Sequence, residues 1–415
     1  MKRIGLTRLA VLFGFPLTVS ALVLTQAQTQ QTLRVIMPGG PDQFAVVQKL
    51  NDQFTKETGV RVEFQGVPTD QYYPVINTRL VGGDAPDVIG AAGIDSARQW
   101  LKAGYIADLS GEAWVKNVVQ ANRTDVTLGT DKAYQFVVEN VGVGLFYNRT
   151  MLEAAGATVP ENYPQFLAAM ARVKAAGKTP LVVGAKDGWG PQMAVFLNAV
   201  NTIYRTNPNA DADMLAGRLK FDSAAWRSVH QRVADWAKAS YFNPQIALGL
   251  GDFDPAVAEF SAGRAAFIVH GSWNLGSMKD LKFKYGFTAF PGGPAGTKGR
   301  GIILSGMNFS VNAKARSVPV AKQYLAFWSR NVDTYLRETG GRFGSLTTSK
   351  IDEEALRDFA TAVADNRAND YFPSNWGEAS KVQEIWKKAM QNILLGQPVA
   401  AQMKLLDADF AKYKR

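Results

Sequence analysis

The sequence predicts an α/β protein built as two domains, and three observations carry that expectation. Short apolar strands alternate with amphipathic helices from Thr32 to Ala103, and the alternation restarts after Gln135. The chain has 415 residues, 47% of them hydrophobic and 20% charged, a composition typical of globular structure throughout. Even without residues 1–27, that length exceeds what one hydrophobic core usually serves.

The first 27 residues read as an export signal. Lys2, Arg3 and Arg8 make a basic start, and the apolar run from Val11 to Leu24 is interrupted by Gly14 and Pro16. Thr25-Gln26-Ala27 offers a small-residue cleavage site after Ala27. The run is shorter than the roughly 18 to 20 apolar residues of a membrane span. A bacterial lipid anchor needs a cysteine after the cleavage site, and the chain has none, so the expected location is the periplasm without an anchor.

The first half is then read in order. Thr32 to Met37 is a strand, followed by the turn Pro38-Gly39-Gly40-Pro41 and a helix capped at Asp42. Phe44, Val47, Leu50 and Phe54 share one face of that helix, and Gly59 stops it. Arg61 to Val67 is a second strand, and Thr69 or Asp70 caps a helix through Leu80. After Gly82-Gly83-Asp84-Ala85-Pro86 comes the strand Asp87 to Ala91, then a helix over Ser96 to Ala103. Strand, helix, strand, helix, strand is a parallel-sheet pattern.

Gln135 to Tyr147 reads as one long strand that begins the second half. Pro164 opens a helix with Phe166, Leu167, Met170 and Val173 on one face, ending at Gly177. Leu181 to Gly184, Ala265 to Val269 and Tyr285 to Phe290 are strands; Ala194 to Tyr204 and Ala224 to Ser240 are helices. Pro319 opens a helix carrying Tyr324, Leu325 and Trp328. A last amphipathic helix carries Val382, Ile385, Trp386, Ala389, Met390 and Ile393.

Several function classes are excluded by composition. The formal charge is +10, but the basic residues are scattered and no run exceeds Lys387-Lys388, which argues against nucleic acid. With two histidines and no cysteine, neither a cysteine nucleophile nor a histidine-rich metal site is available. No G-x-S-x-G elbow or phosphate loop is present, and Pro291-Gly292-Gly293-Pro294-Ala295-Gly296 lacks a lysine at Walker spacing. No cofactor or metal is implied.

In open α/β sheets, ligands bind in loops beyond the carboxyl ends of strands. The loops after Met37, Ala91, Gly184 and Val269 hold Asp42, Gln43, Asp95, Asp187, Trp189, Trp273 and Asn274. Carboxylates and amides share hydrogen bonds with hydroxyls, and an aromatic face packs on the C–H face of a sugar ring. Asp95 could equally cap the helix that follows it, and Asp42 carries the same ambiguity. Trp226, Trp236, Trp328 and Trp386 lie at helical spacing among apolar neighbours and read as core, as do Trp100 and Trp114. His270 reads as a hydrogen-bonded structural histidine.

Four segments carry a family resemblance. They are Gly82-Gly83-Asp84-Ala85-Pro86-Asp87-Val88 with Leu101 to Leu109; Leu145 to Arg149 with Ala154-Ala155-Gly156 and Pro160; Glu259 to Ala266 leading to Gly271-Ser272-Trp273; and Phe290-Pro291-Gly292-Gly293. In this order the chain resembles the solute-binding proteins of ABC transporters, in the family of maltose- and multiple-sugar-binding proteins. The resemblance implies a two-lobed periplasmic-binding-protein fold of type II that closes about a hinge. It implies a monomer that captures a mono- or oligosaccharide and hands it to a membrane permease, without catalysis.

The implied lobes are discontinuous: residues 28–140 with 301–342, and 141–300 with 343–415. Crossings are expected near residues 137–145, 302–310 and 343–348. By resemblance, Asp95 matches a sugar-binding carboxylate, although Ser96 and Ala92 replace the basic and aromatic neighbours of maltose binders. Asp187 and Trp189 match an acidic-aromatic pair, and Trp273 a stacking tryptophan. Asn140 and Arg342 sit beside crossings, and Trp376 heads a helix bordering the cleft. The alternatives are an anionic solute, such as a uronate oligomer or a glycerophosphate diester, and a glycosidase using Asp95 with Asp187.

Overall fold

The structure is a computed structural model that describes residues 31–278, 280–350, 353–370 and 375–414. The expected export signal lies outside these residues. Among the described residues eleven strands form two sheets. In chain order they are β1 (Thr32–Gly39), β2 (Arg61–Pro68), β3 (Val88–Ala92), β4 (Phe136–Val137), β5 (Asn140–Asn148), β6 (Thr179–Val182), β7 (Ala265–Gly271), β8 (Tyr285–Thr288), β9 (Gly301–Ser305), β10 (Met307–Val311) and β11 (Ala368–Asp370).

The first sheet has the order β2-β1-β3-β10-β4. Its first three strands are parallel, as the strand–helix alternation demands, and β10 runs antiparallel between β3 and β4. Helices Pro41–Thr58 and Val318–Thr339 pack together on one face, closing a core that includes Phe54, Phe309, Tyr324 and Trp328. Helices Thr69–Gly82 and Asp95–Lys102 close the other, around Tyr72, Ile76 and Trp100.

Gly90 of β3 shows how tightly this sheet is filled. A Cβ there would lie 2.7 Å from Met37 Cβ and 2.9 Å from its Cα. Gly90→Ala is therefore expected to destabilise the first lobe by about 1–3 kcal/mol, read as a lower urea midpoint with an unchanged slope.

The second sheet has the order β11-β9-β5-β7-β6, with β8 pairing the far half of β5. Every residue of β5 is buried. Helices Tyr163–Ala175, Trp189–Thr206, Ala224–Lys238, Ala379–Leu394 and Val399–Tyr413 supply the larger core of this lobe. Trp226, Trp236 and Trp386 lie inside it and Trp328 in the first lobe, while Trp100 and Trp114 are also buried. Among the described residues no helix is long and apolar enough to cross a membrane.

Three segments connect the lobes. The stretch expected as one strand over Gln135–Tyr147 is split: β4 lies in the first sheet and β5 in the second, with Val138-Glu139 between them. The return is at Gly306, between β9 and β10, so Gly301–Ser305 belongs to the second sheet although residues 301–342 were expected in the first lobe. The third segment follows helix Val318–Thr339. Phe343 exchanges two backbone bonds of 2.8 Å with Asn140 and packs on the second lobe. Leu346 then turns back into the first core, and Thr347 bonds Asn117. The second lobe therefore takes over after residue 350 rather than at Phe343, because burying Leu346 against Val118 and its neighbours holds the chain on the first lobe.

The connections are locked to one another. Gly306 N–H donates to Glu139 O (2.9 Å), and Val138 N–H to Met307 O (2.9 Å). A Cβ on Gly306 would lie 2.6 Å from Glu139 Oε1. Glu139 itself forms a buried ion pair with Arg342, Nε to Oε2 2.6 Å, so all three connections meet at one carboxylate.

Candidate functional site

An aromatic surface forms where β6 and β7 end beside the connections. Gly188, with φ +79°, precedes helix Trp189–Thr206 and turns the chain so that Trp189 opens it. Gly190 follows because a Cβ there would lie 2.3 Å from Gly184 O. Asp252 fixes this turn: its Oδ2 accepts from Asp187 N–H and its Oδ1 from Gly190 N–H, each at 2.6 Å. Burial raises the Asp252 carboxyl above the usual range, and these two amides oppose the rise.

Trp273 enters from the other side. Gly271 ends β7, and the Trp273 ring folds back over it, so a Cβ at 271 would lie 1.9 Å from the ring. Ser272 holds the turn to the connections: its hydroxyl donates to Gly341 O and its Oγ accepts from Gly142 N–H (3.0 Å). The Trp189 ring lies 6.0 Å from Trp273, 4.9 Å from Phe253 and 5.0 Å from His270. Trp189 and Trp273 are half-buried, Phe253 is 43% exposed, and His270 forms the floor. Phe253 and Asp252 were missed in the sequence; their signal was a lone aromatic and a carboxylate in the loop Gly249-Leu250-Gly251-Asp252-Phe253.

The floor is electrically neutral. His270 Nδ1 accepts from Gly271 N–H (2.9 Å) and Asn274 Nδ2 (2.6 Å), which places the proton on Nε2, facing Asp252 O at 3.2 Å. Burial pushes His270 down to about 4, and also His230, which lies between Trp226 O and Trp386 Nε1 in the core. A folded pKa below the unfolded value near 6.5 means that the unfolded chain takes up protons first. Stability from these histidines is complete above about pH 6.5 and is lost as pH falls towards 4, at about 1.4 kcal/mol per pH unit for each. Urea unfolding between pH 7 and 4.5 is expected to show this slope. His230→Gln removes its share.

The first lobe contributes polar groups. Asp42 is exposed in the first turn of its helix, which is capped by Gly40, and Gln43 Nε2 donates to Tyr335 Oη at 2.5 Å. Asp95 begins helix Asp95–Lys102 without capping it, and lies 4.0 Å from Arg98. Neither aspartate is the cap expected; both instead favour the positive end of the helix dipole. Asp125, also missed, lies between the lobes. Desolvation and Asp370 of β11 raise its carboxyl, whereas Asn122, Ser305 and Arg98 oppose the rise. Asp95, Arg98, Asp125, Ser305 and Asp370 thus form a polar group across the seam, with acid in excess.

Four expected ligand residues have internal partners instead. Asn140 exchanges amide bonds of 2.7 and 2.8 Å with Asn122. Asn274 is 8% exposed and serves His270. Arg342 is buried against Glu139 and the carbonyls of Thr339 and Gly340. Trp376 is fully buried, stacked on Trp386 at 5.6 Å and 5°, with Nε1 donating to Asp211. Asp187 is exposed at the rim beside Trp189.

The arrangement sets half-buried rings on the second lobe beside carboxylates drawn from both lobes, Asp95 and Asp125 on the first and Asp187 and Asp370 on the second. Among the described residues no group of three or more His, Asp or Glu could hold a metal ion. Residues 38–333 match the family described as bacterial extracellular solute-binding protein. The chain belongs to that family.

Its members carry solutes rather than transform them, and this solute-binding protein is not an enzyme. The multiple sugar-binding protein of Streptococcus mutans is 25% identical over 301 residues, covering 68% of this chain and 67% of that one. Two solved structures share the two-lobed fold. The solute-binding protein RafE in complex with raffinose superposes with TM-score 0.76 at 20% identity, covering 92% of this chain and 100% of that one. A chitin oligosaccharide binding protein does so with TM-score 0.78 at 19% identity, covering 92% and 99%.

Proposed function

We propose that this solute-binding protein captures a mono- or oligosaccharide between its lobes in the periplasm and delivers it to the inner-membrane permease of an ABC importer. The observation that carries this reading is the half-exposed surface of Trp189, Trp273 and Phe253 at the seam. Three rings sharing one opening suit the C–H faces of successive sugar units. Asp42, Asp95 and Asp125 of the first lobe suit hydroxyls, and Asp187 supplies a further acceptor at the rim. Relatives named for multiple sugars, raffinose and chitin oligosaccharides support the ligand class.

Closure needs only contacts that are better with the lobes together than apart. A bound sugar supplies them by joining the rings of the second lobe to Asp95 and Asp125 of the first. The predicted export signal supports the periplasmic setting. The acid excess at the seam disfavours an anionic ligand, because a uronate would meet Asp95, Asp125 and Asp370.

Calorimetric titration with raffinose, stachyose, chitin oligosaccharides and oligogalacturonate tests the reading. One neutral saccharide is expected to bind with 1:1 stoichiometry and little salt dependence. Binding confined to the oligogalacturonate would overturn it.

A further inference from the structure

A second group of charges lies on the second lobe, at the end of β9 away from the connections. Arg205 comes from the last turn of helix Trp189–Thr206, Arg300 precedes β9, and Arg367 precedes β11. Two of their guanidinium groups tie down one short segment, which leads directly into the third arginine. Arg205 Nη2 donates to Lys298 O (2.7 Å), Arg367 Nη1 to Gly299 O (2.8 Å), and Arg300 is the next residue.

Cations are not usually gathered in this way without acids between them. Asp365 pairs with Arg367 at 2.9 Å, but among the described residues neither Arg205 nor Arg300 has a carboxylate partner within ion-pair distance. Arg300 gives its Nε to Asn369 Oδ1 (2.9 Å), while its two terminal nitrogens have no protein partner among the described residues and reach solvent. Burial, then Arg205 and Arg367, holds Arg300 below the usual arginine range.

Loop packing accounts for only part of this arrangement. The two carbonyl bonds made by Arg205 and Arg367 tie down residues 298–299, and Arg300 needs no charge to bond Asn369. What remains is a half-buried, planar pair of donors held among like charges, the geometry that receives two oxygens of one anion.

We propose that Arg205, Arg300 and Arg367 form a binding site for a tetrahedral oxyanion, a sulfate or phosphate group, separate from the saccharide site. β9 runs from this site towards the connection at Gly306, and Trp273 lies beside the connections, so the two sites occupy opposite ends of the sheet. The oxyanion can be free or esterified to a sugar. Both forms present the same oxygens to the Arg300 fork.

The test is calorimetric titration of the protein with sodium sulfate, sodium phosphate and glucose 6-phosphate, against sodium chloride at matched ionic strength. At least one oxyanion is expected to bind saturably at one site where chloride does not. Arg300→Gln is expected to weaken that binding by about tenfold or more, with Arg300→Lys intermediate because it keeps charge but loses the fork. The inorganic salts and the sugar ester distinguish a free ion from an esterified one. Thermal melting and saccharide titration of each variant report folding and the separate site. Absence of saturable binding for all three oxyanions, or equal binding by wild type and Arg300→Gln with both folded, overturns the proposal.

Discussion

Arg342→Met is expected to destabilise the protein by about 3–5 kcal/mol, because it leaves Glu139 buried without its partner. The pair is almost entirely removed from water, with side chains 7% and 4% exposed and an Nε–Oε2 approach of 2.6 Å. Little can move to compensate: Gly306 packs against the carboxylate, and Tyr335 beside the pair is fully buried. The double substitution Glu139→Leu with Arg342→Met removes both charges and is expected to recover most of the loss. Urea unfolding of wild type, the single variants and the double variant measures this coupling as a cycle. If Arg342→Met cost no more than an exposed substitution, under about 0.5 kcal/mol, the pair would not be holding the connections together.

The second large effect concerns ligand. Trp273→Ala is expected to weaken saccharide binding by roughly 30-fold or more, about 2 kcal/mol, the loss typical of an aromatic anchor. The apo melting temperature should change little, since the ring is half-buried and lies over Gly271 rather than inside a core. Gly271→Val provides an independent check without removing the tryptophan: a Cβ 1.9 Å from the ring forces it out of position, so affinity should fall in parallel. Unchanged affinity in both variants would place the saccharide elsewhere.

Much of the fold was legible because its strands and helices announce themselves locally. Phe44, Val47, Leu50 and Phe54 marked a helix face from spacing alone, and Gly59 marked its end with a positive φ. The break between β4 and β5 was legible only in part: Gln135 to Tyr147 reads as one strand, although Glu139-Asn140 interrupt the apolar run and the resemblance implied a crossing near residues 137–145. Pairing with β10 on one side and β9 on the other divides the run at that point.

The site was legible to a smaller extent, for the same reason. Trp189 stood out because glycines flank it, and Trp273 because it follows Gly271-Ser272 at a strand end. Trp376 sits in a similar setting, Asn375-Trp376-Gly377, yet its ring is drawn into the core by Trp386 and Phe221, which are distant in sequence. Arg342 read as a ligand residue beside a crossing, because its buried partner Glu139 is far away in sequence. Asp125 gave no local signal at all, since its place at the seam depends on Ser305 and Asp370.

The position of β10 bears on how the molecule is made. This strand lies between β3 and β4, yet it is synthesised after nearly all of the second sheet. The first lobe therefore cannot finish folding until β10 has been made, even though its first three strands are available early. Long-range closure of this kind is slow. For a member of an extracellular family, a strand supplied this late leaves the first sheet without its link between β3 and β4 through most of synthesis.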